Sequence, residues 1–222
     1  MKHEDIKLIL NKEEYIGKEI TVCGWVRAIR KSKNMCFVEI NDGTSLKNLQ
    51  LVINYINKEN AEIFNKINIG ASLAANGIIV KSVNNNQKIE LNVVNAKIIG
   101  DCPNDYPIQR KKQNLEYLRQ YPHLRTRTNT FNAIFRVRSV LANSIHEYFQ
   151  KNNFTYVNTP IITGSDCEGA GEMFKVTVLD LDRVSKENYR ENIYEKDFFG
   201  KKVGLTVSGQ LEAEAMACSL GH

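Results

Sequence analysis

Along the first hundred residues the apolar positions recur at every second residue. In ITVCGWVR (20–27), Ile20, Val22 and Val26 alternate with Thr21, Trp25 and Arg27. CFVEIN (36–41) sets Cys36, Val38 and Ile40 against Phe37 and Glu39, and NLQLVIN (48–54) sets Leu49, Leu51 and Ile53 against Asn48, Gln50 and Asn54. Strand side chains point alternately to two faces, so each segment predicts a half-buried strand. Residues 71–81, and 88–94 with Ile89, Leu91 and Val93 inside, complete five strands. NDG (41–43) and NNNQ (84–87) read as turns, and NKENAEIFNKIN (57–68) as a helix between the third and fourth strands.

Five strands with a helix after the third is the element order of an OB-fold, a small barrel that often binds single-stranded nucleic acid. Strand parity then places Phe37, Gln50 and Glu90 on the face opposite the apolar set. An outward Phe near Arg27, Arg30, Lys31 and Lys33 offers a base-stacking platform beside a phosphate-attracting cluster, and Gln50 and Glu90 can hydrogen-bond a base edge. The pattern alone fits equally a Phe packed under a loop and a solvated basic turn.

Residues 101–127 hold three of the four prolines, with Arg110, Lys111, Lys112, Arg119, Arg125 and Arg127. This stretch reads as a basic hinge with a short helix, or as a plain linker. From Thr130 the period becomes helical: Ile134, Val137, Leu141, Ile145, Tyr148 and Phe149 recur at three- and four-residue intervals, and Asn129 or Thr130 is the expected N-cap. FTYVNTPII (154–162) reads as a strand up to Pro160, and MFKVTVLDL (173–181) as another. The charged run 182–197 is expected at the surface. After it come a strand, a sharp Ser-Gly turn and the opening of a helix.

Composition narrows this only modestly. The chain has 222 residues, 42% hydrophobic and 25% charged, with a formal net charge of +5, a mild bias that by itself fits a polyanionic partner or a solvated basic surface. Its five cysteines are scattered without a CxxC pair, which argues against a zinc site or disulfide framework and for a reducing compartment. No apolar run approaches a membrane span and MKHEDIKLIL lacks a signal-peptide core, so a cytoplasmic protein is expected. SDCEGAGEMF (165–174) admits three readings: a phosphate cradle, an acidic metal site or a mobile gate. The cradle fails for want of a following Lys-Ser/Thr, and nothing fixes the geometry of Asp166, Glu168 and Glu172 as ligands.

Taken in order, GWVRAIRKSKN (24–34), HLRTRTNTFNAIFRVRS (123–139), TPIITGSDCEGAGEMF (159–174) and DFFGKKVGLTVSGQLEAEA (197–215) resemble the asparaginyl-tRNA synthetases, in the class II subgroup shared with the aspartyl and lysyl enzymes. The resemblance implies an α+β protein with an OB-fold anticodon-binding barrel over 1–100, a basic hinge over 101–128, and the start of an antiparallel-sheet catalytic domain over 129–222. It implies that Phe37 stacks on the middle anticodon base, with Gln50, Glu90 and Arg30 as polar partners. It makes the helix from Thr130 and the strand to Pro160 the dimer-forming motif 1. It assigns Ser208 and Gln210 to amino-acid binding, and Glu168, in a gate hinged at Gly169 and Gly171, to the substrate ammonium.

Aspartyl enzymes carry a lysine where this chain has Ala213, so a neutral carboxamide is the expected substrate side chain. Glu212 departs from the Asn of many relatives. The implied reaction uses asparagine, ATP, Mg²⁺ and tRNA(Asn) in a homodimer. The 222 residues contain neither the FRxE of motif 2 nor the glycine-rich motif 3, since Phe135-Arg136 is followed by Val-Arg. The segment alone is therefore expected to be inactive, with no catalytic residue or metal ligand of its own. The alternatives are a non-enzymatic tRNA-binding OB module and an aspartyl-type paralogue.

Overall fold

The alternating segments pair into a closed barrel. The computed structural model describes residues 2–55, 58–82, 87–111, 113–167, 173–180, 182 and 193–221, with residues 58–60 described by backbone alone. Strands β1 (Glu19–Lys31), β2 (Met35–Asn41), β3 (Leu49–Asn54), β4 (Ser72–Lys81) and β5 (Ile89–Gly100) close in the order β1-β2-β3-β5-β4. The β3–β5 pair is parallel, with Leu51 opposite Leu91, and the other pairs are antiparallel. This is the predicted OB-fold.

Parity is obeyed. Val22, Val26, Cys36, Val38, Ile40, Leu49, Leu51 and Ile53 are at most 1% exposed, while Thr21, Trp25, Phe37, Glu39 and Gln50 on the other face are only half-buried. A one-residue slip would move every apolar side chain outward, so the buried face fixes the register. Gly77 sits where that register shifts between β4 and β5. A Cβ there would lie 2.1 Å from the Asn92 carbonyl oxygen, which only glycine avoids.

Helix α1 (Ile6–Asn11), which the alternating pattern gives no hint of, buries Ile6 and Ile9 completely in the barrel core. Its first amides are capped by the β2–β3 loop: Ile6 N–H donates to Asp42 (2.8 Å) and Lys7 N–H to the Thr44 hydroxyl (3.1 Å). Helix α2 (Lys58–Lys66) follows β3 as expected and buries Phe64. Cys102, Tyr106, Ile108 and Leu118, the last on α3 (Leu115–Arg119), join the barrel core.

The chain divides into two units, Met1–Ser139 and Val140–His222, and the division falls within α4 (Asn129–Lys151). Its cap is one residue earlier than expected: the Thr128 hydroxyl accepts from Phe131 N–H (3.4 Å). The predicted apolar stripe is present but uncovered, with Val137 65%, Leu141 57% and Tyr148 64% exposed.

In the second unit a small antiparallel sheet runs β6 (Ile162–Thr163), β8 (Val203–Leu205), β7 (Lys175–Val176), and helix α5 spans Gln210–Leu220. The strand expected over 154–160 does not form; the ladder begins only at Ile162, beyond the exposed Pro160. The strand expected over 173–181 is two residues long, and Leu181 lies outside the described residues. The cause is local: Val178 N–H donates to the Asp197 side chain (3.0 Å) and Leu179 N–H to the Thr177 hydroxyl (3.0 Å), which removes them from a ladder. Asp197, expected at the surface with its charged run, is buried, and residues 183–192 of that run lie outside the described residues.

Candidate nucleic-acid interface

Arg30 and Phe37 are directly paired across β1 and β2, which puts both side chains on the outer face of the barrel. The Arg30 guanidinium carbon stands 4.6 Å from the Phe37 ring centroid, within cation–π range. On the next two strands of the barrel, β3 and β5, Gln50 Nε2 donates to Glu90 Oε2 (3.1 Å), and the same oxygen accepts from the Ser82 hydroxyl (3.0 Å) and Gln87 Nε2 (3.4 Å). The expected pair of separate base-reading groups is thus one connected network. Glu39, opposite Gln50, accepts from Asn48 Nδ2 (2.8 Å), so amide and carboxylate groups line the floor between the strands.

Arg30, Phe37, Glu39, Asn48, Gln50 and Gln87 line a cleft of about 1020 Å³. Among its lining residues Lys7, Lys47, Lys88, Arg30, Arg110 and Arg136 supply six cations, against the single carboxylate of Glu39. A concave surface of one sign concentrates its field, so the cleft attracts polyanions. Lys7, Lys47 and Lys88 escape sequence reasoning, and Arg110 and Arg136 read there only as part of a hinge and of a helix, because these five cations come from segments far apart along the chain. Arg136, dismissed as a failed motif 2 arginine, donates to the Gly43 carbonyl and to Asn132 Oδ1 (2.7 Å), which fastens α4 to the β2–β3 loop. Nearby, burial pushes the Arg27 guanidinium below its ordinary pKa and the charge of Arg127 adds to that shift. Arg127 lies over Trp25 at 4.6 Å.

In the second unit Ser208 and Gln210 open helix α5. The Ser208 hydroxyl accepts from Gln210 N–H (3.2 Å), so it caps the helix start, and Ser208 N–H in turn donates to the Thr206 hydroxyl (3.2 Å). The Gln210 carboxamide is held at both ends: Oε1 lies 3.6 Å from the Cys167 sulfur and Nε2 donates to Glu214 (3.1 Å). Neither partner was singled out from the sequence, although Cys167 lies in the SDC segment. Both Ser208 and Gln210 are exposed. Glu168 lies outside the described residues, as do Gly169, Gly171 and Glu172. Among the described residues no group of three His, Cys, Asp or Glu is arranged to hold a metal ion, and no helix is long and apolar enough to cross a membrane.

Residues 20–99 match the family described as the OB-fold nucleic acid binding domain, and residues 114–218 match class II tRNA synthetases (D, K and N). The asparagine–tRNA ligase of Clostridium kluyveri is 49% identical over 205 residues, covering 92% of this chain and 44% of the relative. That of Clostridium tetani is 45% identical over 223 residues, covering 100% of this chain and 48% of the relative. The chain thus spans a little under half the length of the curated relatives it matches. Asparaginyl-tRNA synthetase of Pyrococcus horikoshii, solved with asparaginyl-adenylate, superposes with a TM-score of 0.79 at 24% identity, over 99% of this chain and 46% of that one. The Entamoeba histolytica enzyme with the same adenylate gives 0.68 at 26% identity, over 92% and 43%.

Proposed function

We propose that the chain belongs to the class II tRNA synthetases of the D, K and N group, as the counterpart of the N-terminal portion of the asparaginyl-tRNA synthetases, and that it forms part of an enzyme that joins asparagine to its tRNA using ATP. The barrel, residues 1–100, reads the anticodon. Residues 101–128 join it to the beginning of the catalytic domain at 129–222. The observation that carries this reading is the cation-lined cleft with the Arg30–Phe37 stack and the Gln50–Glu90 network on one wall. An aromatic ring gives a sequence-tolerant platform for a base, the amide and carboxylate read its edge, and the cations hold the phosphates.

Ser208 and Gln210 bind the amino acid, with Glu168 receiving its ammonium group. Ala213 leaves the substrate side chain without a lysine partner, which favours a carboxamide over a carboxylate. The chemistry runs in two steps: the asparagine carboxylate attacks the α-phosphate of ATP, then the terminal hydroxyl of the tRNA takes the aminoacyl group. Both depend on positioning and charge stabilisation. ATP and Mg²⁺ are the expected cofactors of that reaction. The exposed stripe of α4 pairs with a second copy, and the enzyme works in the cytoplasm.

The test is asparagine-dependent ATP–pyrophosphate exchange and charging of tRNA(Asn) by the complete protein. Charging with asparagine and not with aspartate is the expected result. A complete protein that binds tRNA but charges nothing would overturn the enzymatic reading, and charging with aspartate would overturn the choice of amino acid.

A further inference from the structure

We propose that Cys167 is a positioning residue of the amino-acid site, acting through the carboxamide of Gln210. The inference rests on the functional reading above, in which Gln210 contacts the amino acid. The Cys167 sulfur lies 3.6 Å from Gln210 Oε1, a hydrogen-bond distance for so large a donor atom, and joins segments 43 residues apart. On the other side of the same carboxamide, Nε2 donates to Glu214 Oε1 at 3.1 Å.

A thiol donates weakly, and an ionised carboxylate only accepts. Together they impose one orientation on the amide. Turning it over would set the NH₂ against the S–H and the carbonyl oxygen against the carboxylate. The backbone beneath is fixed too, since Gln210 N–H is engaged by the Ser208 hydroxyl. In this arrangement Oε1 keeps a second lone pair and Nε2 a second hydrogen for a ligand. Gln210 therefore presents its acceptor and its donor at two defined positions rather than interchanged in part of the population, and the acceptor suits a cationic amine.

Of the two holds, only the thiol comes from outside α5, because Glu214 is one turn further along the same helix. Without the thiol, the terminal torsion of Gln210, which is broad and roughly two-fold, is governed by Glu214 alone. The acceptor would be less well defined, and the affected quantity is affinity for the amino acid. On the proposed reading this contact has no role toward ATP.

The experiment compares Cys167→Ala and Cys167→Ser in the complete protein by asparagine-dependent ATP–pyrophosphate exchange. Cys167→Ala is expected to raise the KM for asparagine about threefold to tenfold, the span of one weak hydrogen bond. Its kcat and its KM for ATP should stay within about twofold of the parent. Cys167→Ser keeps a donor and should recover most of the lost affinity. An unchanged KM for asparagine in Cys167→Ala, equal losses in the two variants, or a parallel rise in the KM for ATP overturns the inference while leaving the functional reading intact. Absence of exchange in the unsubstituted protein overturns that reading and this inference with it.

Discussion

Arg30 and Phe37 face each other across the β1–β2 ladder, and the guanidinium carbon sits 4.6 Å from the ring centroid. One face of the ring is therefore occupied by a cation before any nucleic acid arrives. On the reading proposed above, a base stacks on the other face or displaces the arginine, whose charge then turns to phosphate. Phe37→Ala should weaken binding of the tRNA(Asn) anticodon stem-loop by about 1–3 kcal/mol, the range for one base–aromatic stack, while Phe37→Trp should bind nearly as the parent does. Fluorescence anisotropy titration checks this, and equal affinities for the parent and the alanine variant would remove the stacking role.

The cations of the cleft predict a different signature. Arg110→Ala and Arg136→Ala should weaken binding alike for all sequences and each should lower the slope of log K against log salt by about 0.7, the value for a single-strand phosphate contact. Titrations at several salt concentrations distinguish this from lost base reading. Arg136 carries an additional cost, because it also ties α4 to Gly43.

Glu90 gathers donors from Gln50, Ser82 and Gln87 on one oxygen. Glu90→Gln replaces that acceptor with a group that also donates, so the network must rearrange. The expected outcome is reduced discrimination among anticodon variants at little cost to barrel stability. It is measured by the ratio of affinities for cognate and altered stem-loops beside a thermal unfolding curve.

In the second unit the Thr177 hydroxyl and the amides of Val178 and Phe198 hold the Asp197 carboxyl below its ordinary pKa, outweighing the opposing effect of burial. A carboxyl depressed on folding contributes stability that is fully present above its unfolded pKa and is lost as pH falls through the lower, folded value. Unfolding of the second unit should therefore become easier with acid below about pH 4, near the unfolded value of an aspartate. Asp197→Asn should flatten that dependence, as followed by denaturant melts at stepped pH.

The uncovered face of α4 gives a prediction about assembly. An exposed apolar row of Val137, Leu141 and Tyr148 is what an interface helix presents before it is paired. Val137→Asp with Leu141→Asp should shift the protein from dimer to monomer in sedimentation equilibrium. An unaltered mass would show that this face is not the contact.

Some of this protein was determined by its sequence alone. In the barrel, period-two alternation in Cys36–Ile40, Leu49–Ile53 and Ile89–Leu91 fixes which side chains go inside, and so places Phe37, Gln50 and Glu90 outside. Parity is a local property of extended chain. The helical stripe of α4 is local in the same sense, although its exposure is not. What the sequence left open depends on partners distant along the chain. Tertiary structure alone put Arg30 on Phe37, and it merged Gln50 and Glu90, 40 residues apart, into one network. It also drew cations from α1, the packed hinge and α4 into a single cleft. The same holds where expectation and structure differ. The strands expected before Pro160 and beyond Val176 lack a ladder, because β8 offers only three residues to pair with and Asp197 takes the amide of Val178. A strand needs a neighbour as much as a pattern, and the neighbour is chosen by the fold.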